Sequence, residues 1–134
     1  MERIVATRRQ GYMHELVMGE HAITVDEPLE NGGTDRGPSP QDLLAGSLAA
    51  CTAATVELYA DRKGWDVGPL TVSVEISGTL VRGDASYRVT VSLPRELSEE
   101  QRRRVLAIAG RCPVHKAIAG EFPVSVEGVE NSVS

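Results

Sequence analysis

Between residues 2 and 25 apolar and polar side chains alternate in three short runs, broken at Gln10-Gly11 and Gly19-Glu20. Period two over a few residues marks a strand with one covered face, so strands are predicted over 2–8, 12–18 and 20–25. The alternation stops at DEPLENGGTDRGPS (26–39), a stretch rich in Gly, Pro and Asp. A connection this long is near the upper end of what compact domains carry, and such loops often act as lids or docking arms.

The pattern then changes to a long apolar run. Ser39-Pro40-Gln41-Asp42 supplies an N-cap serine, a proline at the first helical position and an acid at the third, close to a capping box. LLAGSLAACTAATVELYADRK continues to Gly64, giving a helix ~33 Å long. Positions 43–56 carry no charge on any face, whereas a surface helix would show a polar stripe. This helix is therefore expected to be surrounded on most sides. Gly46, Ala49, Ala50, Ala53 and Ala54 keep it thin, so another backbone can come close. A chain of 134 residues has little material with which to bury it, and that mismatch predicts a homodimer.

After Gly64-Trp65, LTVSVEISGTLV (70–81) and ASYRVTVSL (85–93) return to period two and are rich in Val, Ile, Thr or Tyr. They predict a hairpin turning at Arg82-Gly83-Asp84. Ser98-Glu99-Glu100-Gln101 is a second capping box, opening a helix to about Ala109. Pro113 disfavours helical geometry at Cys112, and PVHKAIAG predicts a short helix with Pro113 first and Cys112 as its N-cap. EFPVSVEGV (121–129) is expected to close the chain as a strand. No repeat and no linker divides the sequence, so one α+β domain over 1–134 is expected.

Bulk properties narrow the classes of function. The chain is 41% hydrophobic and 25% charged with ordinary Gly and Pro content, which excludes fibrous, disordered and disulfide-rich secreted types. A net charge of −5 argues against a nucleic-acid partner, since phosphate contacts require clustered Lys and Arg. The one basic run, Arg102-Arg103-Arg104, follows Glu99 and Glu100 and reads as a solvated helix face. Met1-Glu2-Arg3 leads straight into an alternating segment without signal-peptide features. The uncharged stretch 43–56 is shorter than the ~20 residues of a membrane span. The expectation is a soluble cytoplasmic protein without a membrane partner.

Two cysteines, Cys51 and Cys112, carry the candidate chemistry. In a reducing compartment they are not expected to form a permanent staple, but a reversible pair is open to them. As an N-cap, Cys112 would face unpaired amides and the positive end of a helix dipole, which favour thiolate. His115 could add charge or relay a proton. Against this, free cysteines are among the most buried residues, and packing is the plainer role. Cys51, in the apolar helix, reads by itself as a buried small hydrophobe whose pKa burial would raise. To act as a nucleophile it would need an imported cation, for which Arg8, Arg9 and Arg36 are candidates. If both thiols work, the matching chemistry is peroxide reduction, in which a sulfenic acid is resolved to a disulfide. An aliphatic surrounding would favour an organic peroxide. Zinc would need more ligands than Cys51, Cys112 and His115, with His14 or His21 brought in from another element, so no metal or cofactor is expected. The paired rival is a dimeric protein that binds a small hydrophobic ligand at its interface without catalysis.

DRGPSPQDLLAGSLAACTAATVELYADRKGW (35–65) and LSEEQRRRVLAIAGRCPVHKAI (97–118) together resemble the OsmC/Ohr family, the osmotically inducible and organic-hydroperoxide-resistance proteins. The resemblance implies an intertwined α+β homodimer, with long central helices wrapped by antiparallel sheets and active sites at the subunit interface. It implies thiol-dependent reduction of organic hydroperoxides, restored by an external dithiol reductant. Cys51 matches the peroxidatic cysteine and Cys112 the resolving one, the reverse of the ranking by local environment. Arg8 or Arg9 stands nearest to the family arginine of the N-terminal hairpin. Gln41 stands where the best-studied hydroperoxidases carry a glutamate that pairs with that arginine. It can hydrogen-bond a guanidinium but not neutralise it, and the adjacent Asp42 points about 100° around the helix. This places the likeness in the broader OsmC-like branch.

Overall fold

A computed structural model of the protein describes residues 3–120 and 123–129. Strands β1 (Ile4–Gln10), β2 (Met13–Met18) and β3 (His21–Val25) form an antiparallel meander in the order β1-β2-β3. Val5 pairs with Val17 and His14 with Val25, and β1 bulges between Arg8 and Gln10. Helix α1 (Pro40–Lys63) follows the loop, and β4 (Thr71–Ser77) and β5 (Ser86–Ser92) make a separate two-stranded sheet. Helices α2 (Glu99–Ala109) and α3 (Pro113–Ile118) complete the described elements.

The ends of α1 follow from its sequence. The Asp42 amide donates to Ser39 Oγ at 3.1 Å and the Ser39 amide to Asp42 Oδ2 at 3.1 Å, the reciprocal capping box. At the other end Gly64 takes a left-handed conformation, φ 71°, which glycine adopts without strain. Ser98 and Gln101 repeat the capping box on α2.

Helix α1 packs on β4, β5, α2 and α3. Its buried residues, Ala45, Leu48, Thr52, Val56 and Ala60, recur every three or four positions and so make one stripe. Below the stripe Val56 and Ala60 join Val67, Leu97, Val105 and Ala109 in the core, flanked by Trp65, Leu70, Val91 and Leu93. Fully buried side chains such as Val56 and Val105 contribute on the order of 1.5–3 kcal/mol each.

Within one chain helix α1 leaves Gly46, Ser47, Ala50 and Ala54 exposed, the shortfall of covering material expected from the chain's length. Three expectations change. By length and composition α1 also meets the requirement for crossing a membrane, because its charges gather at its ends; here its buried stripe packs on the second sheet and on α2. The second hairpin is shorter than its alternation suggests. Asp84 Oδ1 accepts the Thr79 amide at 2.8 Å and Thr79 Oγ1 the Arg82 amide at 3.1 Å, so residues 78–85 form a broad turn held by side chains. Finally, residues 123–129 pair with no strand, and Val124 and Val126 are almost wholly exposed. Alternation alone does not make a strand without an edge to pair with. Residues 121 and 122 of the expected last strand lie outside the described residues. The first sheet also stands apart, with β1 exposed along its whole length and no substantial packing against any helix.

A candidate active site where α1 meets α3

Cys51 lies midway along α1, half-buried, and Cys112 at the start of α3 is fully buried; both are free thiols. Pro113 opens α3 and sets Cys112 as its N-cap, with φ −57° and ψ 133°. Because α3 packs on α1, Cys51 and Cys112 lie near enough for each to alter the other's acidity.

That influence separates the two groups. Burial pushes the Cys51 thiol up, and Cys112 adds to the rise, while the Val114 amide and the Thr55 hydroxyl oppose it. For Cys112 burial also works against ionisation, but the Cys51 thiol, the amides of His115 and Val114 and the Thr52 hydroxyl outweigh it and hold the pKa below the ordinary thiol value. Cys112 caps α3 without a side-chain hydrogen bond to it, yet the first-turn amides, the orphan donors that any helix start presents, still favour its thiolate. Of the two thiols Cys112 is the more acidic.

Two cavities are lined by neighbours of the cysteines on α1 and α3 rather than by the thiols themselves. One of about 480 Å³ is lined by Leu44, Leu80, Tyr87, Val114 and Ile118. A smaller one of about 190 Å³ lies against Leu48, Val89 and His115. Both draw on the turn or two of α1 before Cys51 and on α3 after Cys112, and Cys51 is the more accessible sulfur. Such walls hold an organic body and exclude water.

The other candidate residues are distributed unevenly. His115 is exposed and serves Cys112 through its backbone amide. Asp42 is committed to capping α1. Gln41 is half-buried and lines a further cavity with Ser39 and Tyr87. Arg8 donates through Nε to the Gly11 carbonyl at 2.8 Å, and Arg9 pairs with Glu15 at 2.7 Å, both on the exposed first hairpin. Arg36 is exposed and gives its backbone amide to Asp26 at 3.2 Å. Among the described residues no guanidinium acts on either thiol.

Two participants escaped the sequence reading. Thr52 follows Cys51 in an apolar helix, where a hydroxyl gives no sign of its partner. Asp26 stands at the entrance of the long loop, buried, and organises it. Its carboxylate accepts the Thr34 hydroxyl at 2.6 Å and the amides of Glu27, Thr34 and Arg36. The Thr34 hydroxyl chiefly lowers its pKa, with those amides adding to the effect against burial. The signal available was an acid followed by a loop rich in turn residues.

With the thiol pair and fold in view, the comparisons are direct. Residues 33–127 match the model of the family described as OsmC-like protein. The chain belongs to the OsmC/Ohr family. Among curated proteins none matches the sequence. A structure from Psychrobacter arcticus 273-4, of a protein provisionally assigned as osmotic stress induced and detoxification response, is similar at 23% identity and a TM-score of 0.75, covering 85% of each chain. An OsmC like protein from Mycoplasma pneumoniae shares 24% identity at a TM-score of 0.72, covering 90% of this chain and 88% of that one. An organic hydroperoxide resistance protein from Elizabethkingia anophelis, with thiocyanate bound, shares 23% identity at a TM-score of 0.66, covering 88% and 89%. At these identities the likenesses establish the OsmC-like α+β fold.

Proposed function

We propose that this OsmC/Ohr family member is a homodimeric, cysteine-dependent peroxidase for organic hydroperoxides, acting through Cys51 and Cys112. The observation that supports the reading is the packing of α3 on α1, which brings Cys51 and Cys112 within reach of each other's influence, with an apolar cavity on neighbouring residues of both helices. Cys51 is the attacking thiol because it is the one with access, Cys112 being fully buried. Its thiolate takes the terminal peroxide oxygen, the O–O bond breaks, and the alcohol leaves after gaining a proton. Cys112, whose environment favours thiolate, attacks the sulfur of the resulting sulfenic acid. A disulfide forms and hydroxide departs as water. An external dithiol then reduces the disulfide. No cofactor takes part.

Deprotonating Cys51 requires a positive charge that one chain does not bring to it. The first hairpin carries Arg8 and Arg9 on a sheet without cover in its own chain, and α1 leaves a thin apolar face open. A second copy satisfies both needs at once: α1 packs on α1, and an arginine of one hairpin approaches the other chain's Cys51. Gln41 would hydrogen-bond that arginine without neutralising it, leaving more of its field on the sulfur.

The test is intact mass after one equivalent of cumene hydroperoxide on the reduced protein. Loss of two hydrogens per chain supports the redox pair. An unchanged mass rejects it and favours the non-catalytic ligand-binding alternative.

A further inference from the structure

Tyr87 ends the inward face of β5 where three cavities meet. One lies against Leu44, Val114 and Ile118, one against Leu48 and Val89, and one, of about 580 Å³, against Gln41 and Ile76. Its hydroxyl is shut away from solvent, and among the described residues nothing bonds to it. A buried hydroxyl in that state costs about 1–3 kcal/mol, whereas phenylalanine would fill the same space without the cost. The two cavities towards α3 have mainly aliphatic walls, and although the third holds polar side chains such as Asn31, Gln41 and Thr79, none of the described residues accepts from the hydroxyl. The acceptor that suits it is one carried in on an apolar body that displaces wall side chains.

The position along α1 says where on that body the oxygen lies. Leu48 and Leu44 precede Cys51 by one and two helical turns, roughly 5–10 Å along the axis. The phenol therefore addresses an oxygen several bonds from the reacting peroxide. On the side of the aliphatic cavities towards α3 a neutral phenol cannot repay the desolvation of a carboxylate, so an acceptor seated there is uncharged. We propose that Tyr87 is a specificity-determining residue, its hydroxyl donating to an ester, ketone or ether oxygen on the organic portion of the bound hydroperoxide. This rests on the peroxidase reading above and adds a substrate class to it.

The test compares hexyl hydroperoxide with the methyl ester of ω-hydroperoxyhexanoic acid, using wild type and Tyr87→Phe. Wild type is expected to favour the ester by roughly tenfold in kcat/KM, mainly through KM, and the variant to lose that preference. An unchanged ratio, or an equal loss on both substrates, overturns the proposal. Tyr87→Phe is also expected to melt at or above the wild-type temperature; a lower one would mean that the hydroxyl has a partner in the protein, and overturns it as well. If wild type turns over neither peroxide, the peroxidase reading fails while Tyr87 stays testable by calorimetry with the methyl ester of ω-hydroxyhexanoic acid and with hexanol. Tighter ester binding that Phe removes supports the assignment, and equal binding overturns it.

Discussion

Cys51 and Cys112 stand near enough to act on each other, and their acidities move in opposite directions, Cys51 raised chiefly by burial and Cys112 lowered by its neighbours against burial. The pairing divides the labour: the accessible thiol is the weaker acid and the enclosed one the stronger. The division suits a cycle in which the first thiol waits for a cation and substrate while the second stands ready to attack.

Replacing each sulfur in turn separates the steps. Cys51→Ser is expected to reduce peroxide turnover by about 10³-fold or more, as loss of a nucleophile does. Cys112→Ser should still consume one equivalent of hydroperoxide and then stall as a sulfenic acid that dimedone traps. Coupled consumption assays and mass spectrometry read both, and multiple turnover undiminished in Cys51→Ser would remove the assignment.

The lowered pKa of Cys112 has a signature in stability. In the window between its folded and unfolded values the unfolded chain binds the extra proton, so stability rises with pH there. The contribution is fully present above the unfolded thiol value and lost as pH falls through the lowered folded one. Under reducing conditions the gap in melting temperature between wild type and Cys112→Ser should widen from neutral to alkaline pH. A gap that stays flat contradicts the assignment of charge.

The long loop is set by backbone contact as well as by Asp26. A Cβ on Gly37 would collide with the Thr24 carbonyl, and one on Gly33 with the Glu27 carbonyl. Gly37→Ala is expected to cost about 1–3 kcal/mol, measured by denaturant unfolding. Asp26→Asn should lower the melting temperature by several degrees, since an amide cannot accept from every donor converging there. Because the Asp26 pKa is depressed, its contribution is present above the ordinary carboxylate value and fades as pH falls through the folded one. The variant should therefore show a shallower acid limb than wild type.

The open face of α1 supplies a test of assembly. Ala54 is exposed within one chain, so Ala54→Glu should leave the fold intact while placing charge in the proposed interface. Light scattering is expected to report a dimer for wild type and a single chain for the variant. Peroxidase activity should fall together with assembly if, as proposed, the activating arginine comes from the other copy.

Local chemistry was legible where it is decided locally. Ser39 with Asp42, Ser98 with Gln101, Gly64 and Pro113 each announced a helix end, and the structure has those ends. The resemblance pointed to the OsmC/Ohr family on the residues around Cys51 and Cys112. What the sequence left hidden depends on encounters between distant segments. The turn around Thr79 and Asp84 replaced an extended pairing, residues 123–129 found no edge within the chain, and the partners of Asp26 and Thr52 come from folding back. Tyr87 read as one more aromatic position on a strand; only its surroundings mark its oxygen as alone.

A first sheet that packs substantially on no helix among the described residues makes folding a matter of population. If its cover comes from a second copy, the melting temperature becomes a function of how much protein is in the tube. Dilution then acts as a denaturant, and a newly made chain stays half-dressed until it meets another.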